Sequence, residues 1–418
     1  RVLRGGGMKA EIIPYYNNPD AYFNLSGKND ESARLGRDVA EIIKEVRTRG
    51  DKALLDFTRR FDGVQLDSLR VTIARGEYSQ RLSSEEKEIF SGAAKNIRRF
   101  HERERQQLSS WKYVDKGSTI AQQISTLRRA GLYIPGGTAA YPSSVLMNVI
   151  PAQVAGVEEI VMVTPPASAA QPLNPWIAAV ADMLNISEIY TVGGAQAIAA
   201  LAWGTDTIEP VDIITGPGNA WVTEAKHQVF GRVGIDSLAG PSEIVILADD
   251  CADPGYLAAD LISQAEHDPE ARSLLISPSS DLLRKTGEEL SAQVKNADRK
   301  EIIYTSLRNN GGLIKVDSLD TGIAAVNRLA PEHCELQTGA NDLMKDRIRT
   351  AGALFIGPYT PEPVGDYWAG PNHILPTGGS ARFSSALSVR DFCRWTSVIE
   401  YSLDSLFSAG EKISRFAA

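Results

Sequence analysis

The chain has 418 residues, of which 43% are hydrophobic and 23% charged, and its formal net charge is −8 at pH 7. Those values describe a globular protein of two or three domains with substantial cores, and the acidic balance argues against a nucleic-acid or anionic-membrane surface. No apolar run approaches the roughly 18 to 20 residues of a membrane span, and three widely spaced cysteines (Cys251, Cys334, Cys393) point to a reducing, cytoplasmic compartment and away from a disulfide framework.

The opening RVLRGGGMKAEIIPYY reads as a tag remnant ending near Met8, so residues 1 to 7 are set aside from fold reasoning. Residues 29 to 110 read as helical. Leu35, Val39, Ile42, Ile43 and Val46 recur at helical spacing, and Ser83 with Glu86 predicts a capping box ahead of a long charged helix. The texture changes at GLYIPGG (131–137). Beyond it, short apolar runs alternate with helical segments: IVMVTP (160–165), EIYTVGG (188–194), DIITGPGN (212–219), EIVILAD (243–249), SLLISPS (273–279), CELQT (334–338) and ALFIGPY (353–359). Strands alternating with helices of this length predict an α/β fold with parallel sheets. The segment after residue 380 is mixed and ends in a helical tail.

Glycine-rich strand ends recur as IPGG (134–137), VGGAQ (192–196) and TGPGN (215–219). Glycine lets backbone approach a ligand closely, and a helix that follows offers its N-terminus to phosphate. The loops fall at carboxyl ends of expected strands, where open α/β sheets bind ligands. None is GxGxxG, so the pattern gives a binding crevice or simple tight turns and does not name a ligand.

Among five histidines, His101 in NIRRFHERERQQL and His227 in EAKHQVF read as solvated. The others have unusual company. In ISQAEHDPEA, Gln264 and His267 stand one turn apart, either as metal ligands or as a capped helix end. His333 follows Glu332 in LAPEHCELQ, and His373 lies in GDYWAGPNHILPTGG, seven residues after Asp366. Spacing groups Gln264, His267, Asp366 and His373 as a possible oxygen and nitrogen donor cluster suited to zinc, with Glu332 and His333 as an acid/base pair. Cys334, beside His333, invites a thiohemiacetal route. Alternation along the strand that opens at PEHCELQ turns it instead toward the core if His333 faces the crevice.

The stretches GLYIPGGTAAYPSSVLMNVIPAQVAGV, VGGAQAIAALAWG, GPGNAWVTEAK, AGPSEI, DLISQAEHDPEA, APEHCE and GDYWAGPNHILPTGGSARFSS, in this order across residues 30 to 400, closely resemble histidinol dehydrogenase. The resemblance implies a zinc-dependent enzyme, with one zinc per subunit, that uses two NAD molecules in turn to oxidise L-histidinol to L-histidine through the aldehyde, ending histidine biosynthesis. It implies two incomplete Rossmann-like α/β domains with parallel-type sheets, a helical N-terminal arm and a C-terminal segment, assembled as an intertwined homodimer that shares its active sites. The expected divisions are an arm at 1–28, a discontinuous first domain at 29–130 and 243–385, an NAD-binding domain at 131–242, and a dimerisation segment at 386–418.

Residue by residue, the resemblance makes Gln264, His267 and Asp366 metal ligands, and Glu332 and His333 the acid/base pair. Tyr133, Gln196 and Asn219 become NAD contacts. Ser242, Gln264, His267, His333, Asp366 and His373 become substrate neighbours, with His373 outside the ligand set. Family members continue through a short tail carrying a Glu for substrate and a His for zinc, given to the partner's site, so the segment ending in FAA is expected to be truncated. Two rival readings stay open on the residues alone: oxidation of another small primary alcohol, such as a hydroxylated sulfonate, and nucleotide or metal binding without turnover.

Overall fold

The computed structural model describes residues 12–23, 32–136 and 141–418, so residues 1–7, much of the expected 1–28 arm and Gly137 of the first glycine loop lie outside the described residues. The alternating pattern builds two six-stranded sheets. Across the first, the strands run Arg70–Val71, Glu188–Thr191, Glu159–Thr164, Arg129–Tyr133, Ile213–Thr215 and Gly234–Ile235. Every pairing is parallel except that of the short Arg70–Val71 edge. Its central strands EIVMVT and RAGLY are covered by helices on both faces, which is why they read as apolar runs without alternation. After Glu188–Thr191 the chain returns to the other flank of Arg129–Tyr133, and that reversal opens a crevice at the carboxyl ends of the sheet.

The second sheet is wholly parallel, in the order Tyr15–Tyr16, Gly312–Lys315, Arg272–Ser277, Glu243–Ala248, His333–Gln337 and Ala353–Ile356. A third, antiparallel sheet joins Cys393–Glu400, Ser118–Thr126 and Trp111–Asp115. It leads into the terminal helix Leu403–Ala417 and leaves Trp111, Tyr113, Val114, Trp395 and Ile399 exposed.

The expected capping box is present: the Ser83 N–H donates to Glu86 Oε2 at 2.6 Å and the Glu86 N–H to Ser83 Oγ at 3.2 Å, which starts helix Ser84–Gln106. Of the predicted stripe, Val39, Ile42, Ile43 and Val46 are buried on helix Ser32–Arg49 and Leu35 is partly buried against the same core. That helix packs on Gly194–Trp203 and Ala220–Val229, the helices of the first sheet. Helix Ser32–Arg49 thus lies against the 131–242 stretch, because its apolar stripe meets the almost wholly buried helix GAQAIAALAW. No helix among the described residues is long and apolar enough to cross a membrane.

Candidate active site

Two groups of residues gather at opposite kinds of sheet edge. The first lies at the carboxyl ends of the first sheet. There Tyr133, Gly136, Thr164, Gly194, Gln196 and Asn219 line a cavity of about 610 Å³, within the roughly 300–1,000 Å³ usual for small-molecule sites. Tyr133 closes its strand, and its hydroxyl accepts the Gly194 N–H at 3.2 Å, joining two of the glycine loops. The Asn219 amide oxygen accepts the N–H groups of Trp221 and Val222, capping the helix Ala220–Val229. Gly216 has a φ of 112°, and a Cβ there would stand 2.0 Å from the Tyr133 carbonyl oxygen, so only glycine fits. Three expected nucleotide residues, Tyr133, Gln196 and Asn219, therefore share one cavity.

The second group lies at the amino ends of the second sheet. Helix Leu319–Leu329 stops at Ala330, whose φ of 49° is left-handed, and Pro331 then delivers Glu332 and His333 to the start of their strand. The Glu243 N–H donates to Glu332 Oε2 at 2.9 Å. His333 Nδ1–H donates to the Glu243 carbonyl at 3.2 Å, since a carbonyl can only accept, and this turns Nε2 toward Asp366 Oδ1, 3.5 Å away. Ser242 stands at the same edge, two residues before Ile244, the strand partner of His333.

Asp366 is carried on the π-helical turn Gly365–Ala369. The turn is wedged in place. A Cβ on Gly365 would meet the Phe355 ring at 2.5 Å, and the Asn96 amide donates to the Trp368 carbonyl at 2.9 Å. His373 Nδ1–H donates to the Asp366 carbonyl at 3.0 Å, so His373 belongs to the cluster through backbone and stands 3.9 Å from the carboxylate. Helix Pro254–Ala265 ends one residue before its cap at Glu266, which leaves His267 just past the helix with its N–H on the Gln264 carbonyl at 3.3 Å. Gln264 is 1% exposed and its Oε1 has no hydrogen-bond partner.

Charge explains the local ionisation. Burial pushes Glu332 up to about 7, with His333 opposing it. Burial works to lower His333, but the Glu332 and Asp366 carboxylates outweigh it and push the imidazole up to about 10. Asp366 is held below its ordinary range; burial would raise it, and the bond to His333 prevails. Burial lowers both His267 and His373. A further carboxyl, Glu362, is pushed up to about 8 by burial and by Asp366, and its Oε2 accepts from Ser263 Oγ at 3.3 Å. Ligand atoms of His333, Glu362 and Asp366 lie within 4.8 Å of one another. Glu362 was missed in the sequence, where its position between two prolines, four residues before Asp366, was the available sign.

The sequence model of histidinol dehydrogenase matches residues 25–418. The chain is 50% identical over 382 residues to histidinol dehydrogenase of Geobacillus kaustophilus, covering 91% of this chain and 90% of that protein. It is 46% identical over 398 residues to that of Nitrosomonas europaea, covering 94% and 91%. The crystal structure of histidinol dehydrogenase from Elizabethkingia anophelis superposes with a TM-score of 0.89 at 34% identity, covering 98% of this chain and 95% of that one. The chain belongs to the histidinol dehydrogenase family.

It is therefore an oxidoreductase, built on the pair of incomplete Rossmann-like units that the sequence resemblance implied. In this histidinol dehydrogenase fold, Cys334 faces away from the cluster, packed with Val245, Leu336 and Val326, and burial pushes its thiol well above the ordinary range. One expectation fails. His101 is fully buried and not solvated: its Nδ1 lies 2.6 Å from Glu104 Oε2 and its Nε2 3.4 Å from the Asn372 amide. The reason is the spacing of Ala93, Ile97 and His101, a stripe four residues apart that packs under Pro142–Ala155. His227, with its side chain 65% exposed, is solvated as expected.

Proposed function

We propose that this protein oxidises L-histidinol through the aldehyde to L-histidine, with two NAD molecules in turn and one zinc ion per subunit, at the end of histidine biosynthesis. The observation that carries this reading is the buried Gln264 Oε1, an acceptor without a hydrogen-bond partner, together with His333 Nε2 standing 3.5 Å from Asp366 Oδ1. Buried polar atoms are seldom left unpaired unless a ligand or ion completes them. Gln264, His267 and Asp366 would hold the zinc, an oxygen and nitrogen set that fits this ion. Charge balance agrees with the fit: the Glu332 and Asp366 carboxylates hold the His333 imidazole cationic, whereas a base must be neutral, and a positive charge at Asp366 would favour the neutral form. Bound there, the ion supplies a Lewis-acidic anchor for the imidazole and amine of histidinol.

The residues then divide the proton work. His333, with Nδ1–H fixed on the Glu243 carbonyl, presents Nε2 to take the carbinol proton as hydride leaves for the nicotinamide ring. Glu332, poised at about 7, takes a proton from water so that the aldehyde is hydrated. His333 returns its first proton to the aldehyde oxygen as the hydrate forms, then takes the hydroxyl proton of the hydrate as a second hydride leaves, and both residues finally release their protons to solvent. Each turnover thus consumes one water and yields two NADH. Ser242 and His373 contact substrate from the rim, and the 131–242 unit supplies Tyr133, Gln196 and Asn219 to the cofactor. The exposed apolar faces of the antiparallel sheet and terminal helix support a homodimer, and three free cysteines support a cytoplasmic location.

The test is NADH yield per molecule of L-histidinol, with identification of the product. Two equivalents and L-histidine are expected. Turnover of another primary alcohol with none of histidinol, or nucleotide binding without turnover, would overturn the reading.

A further inference from the structure

The nucleotide cavity holds two more buried polar atoms without partners, Asp62 Oδ2 and Thr164 Oγ1. Thr164 is 1% exposed and stands at the carboxyl end of its strand, on the crevice. Asp62 ends the π-helical turn Thr58–Asp62, and Gly63 leaves it at a left-handed φ of 68°, so the chain turns away just after the carboxylate. Nothing in the sequence pattern marked this residue, because it precedes the sheet it serves.

The cavity stands apart from the residues assigned to the redox chemistry. Gln264, His267, Glu332, His333 and Asp366 are all absent from its lining. With the nicotinamide ring at His333, which is absent from this lining, the adenosine half of the dinucleotide is the part left for the cavity. The rim agrees, since Phe61 and Trp221 line the cavity with 48% and 40% of their surfaces open, flat faces suited to a purine. What remains for Asp62 is a hydrogen-bond donor on that half. An adenosine ribose offers a vicinal pair of hydroxyls. A carboxylate would accept them and would repel a phosphate in the same position.

We propose that Asp62 binds the adenosine ribose hydroxyls and selects the dinucleotide that lacks a 2′-phosphate, with the Thr164 hydroxyl facing the same cavity. The assignment rests on the dehydrogenase reading above. Burial pushes the Asp62 carboxyl up to about 6, which leaves it ionised at neutral pH.

Dissociation constants for NAD, NADP and the hypoxanthine analogue of NAD can be followed on the full chain by tryptophan fluorescence, since Trp221 lines the cavity. The wild type should bind NAD far more tightly than NADP. Asp62→Asn should weaken NAD by roughly ten- to a hundred-fold, the usual worth of hydrogen bonds to a charged group, and the NADP-to-NAD ratio should collapse toward unity. Asp62→Glu should keep the preference. A ratio taken within one variant is insensitive to the folded fraction, so a poorly folding variant still gives an answer. An unchanged ratio in Asp62→Asn overturns this assignment alone. Loss of discrimination against the hypoxanthine analogue, with NADP still excluded, would mean that Asp62 reads the adenine amine and would also overturn it. A wild type that binds neither nucleotide overturns the assignment together with the dehydrogenase reading.

Discussion

Turning His333 toward the carboxylates commits Cys334 to the opposite face of the same strand, among Val245, Leu336 and Val326. A thiohemiacetal route would need that thiol in the crevice as a thiolate, and burial disfavours both. His333→Asn should therefore lower the rate of NADH formation by roughly 10²- to 10⁴-fold, the usual contribution of a positioned base. Cys334→Ala should leave turnover nearly intact and lower stability by about 1 kcal/mol; accumulation of aldehyde in that variant would restore the thiol route. His333 would also report on the proposed metal. Chelated protein should keep the imidazole protonated at pH 8, because its pKa is raised to about 10, and zinc should return it to the neutral form. Imidazole NMR titrations of the two states check this, and identical curves would disconnect His333 from the ion. The raised value fixes the sign for stability: in chelated protein the contribution is fully present below the ordinary value of 6.5 and is lost as pH climbs through about 10.

The helix Ala220–Val229 does more than present its N-terminus to the crevice. From its last turn Lys226, 2% exposed, forms an ion pair with Asp236, and Lys226 Nζ also donates to the Gly216 carbonyl at 3.0 Å. Asp236 in turn accepts the Gly216 N–H at 2.7 Å, so one ion pair holds both sides of the glycine that touches Tyr133. Lys226→Met strands a buried carboxylate and should cost about 3–5 kcal/mol in denaturant unfolding. Adding Asp236→Leu should recover much of that stability but not the NAD affinity, since the loop loses its tether either way. Recovery of both would show that the pair serves packing alone. At this scale the sequence was readable wherever a strand is long and covered on both faces, as in EIVMVT and EIVILA. Arg70–Val71 and Tyr15–Tyr16 were not, because two-residue edges have no period to detect. WKYVD and STIAQQIST escaped as well, since their sheet buries little and carries polar residues on both faces. The site followed the same logic. Glycine loops and rare histidines were visible, whereas Glu362 and Asp62 gain meaning only from what folds against them.

The molecule as a whole exposes an apolar surface that a monomer has little reason to keep. On the terminal helix, Leu406, Phe407, Ile413 and Phe416 are all exposed, Phe416 by 97%, alongside Trp395 and Ile399 of the antiparallel sheet. The proposed homodimer predicts that Phe407→Asp with Phe416→Asp halves the mass measured by light scattering and leaves the fold of each subunit intact by circular dichroism. A dimer that survives both changes would move the interface elsewhere.

Helix Ser84–Gln106 touches both halves of the molecule. It packs on Pro142–Ala155, the helix that follows strand Arg129–Tyr133, and on the turn that bears Asp366, and through His101 and Asn372 it reaches the Met147 carbonyl. Heat cannot release one sheet while the other keeps this support. Calorimetry should then record a single cooperative melting transition, in which losing either ligand lowers the temperature at which the two halves fail together.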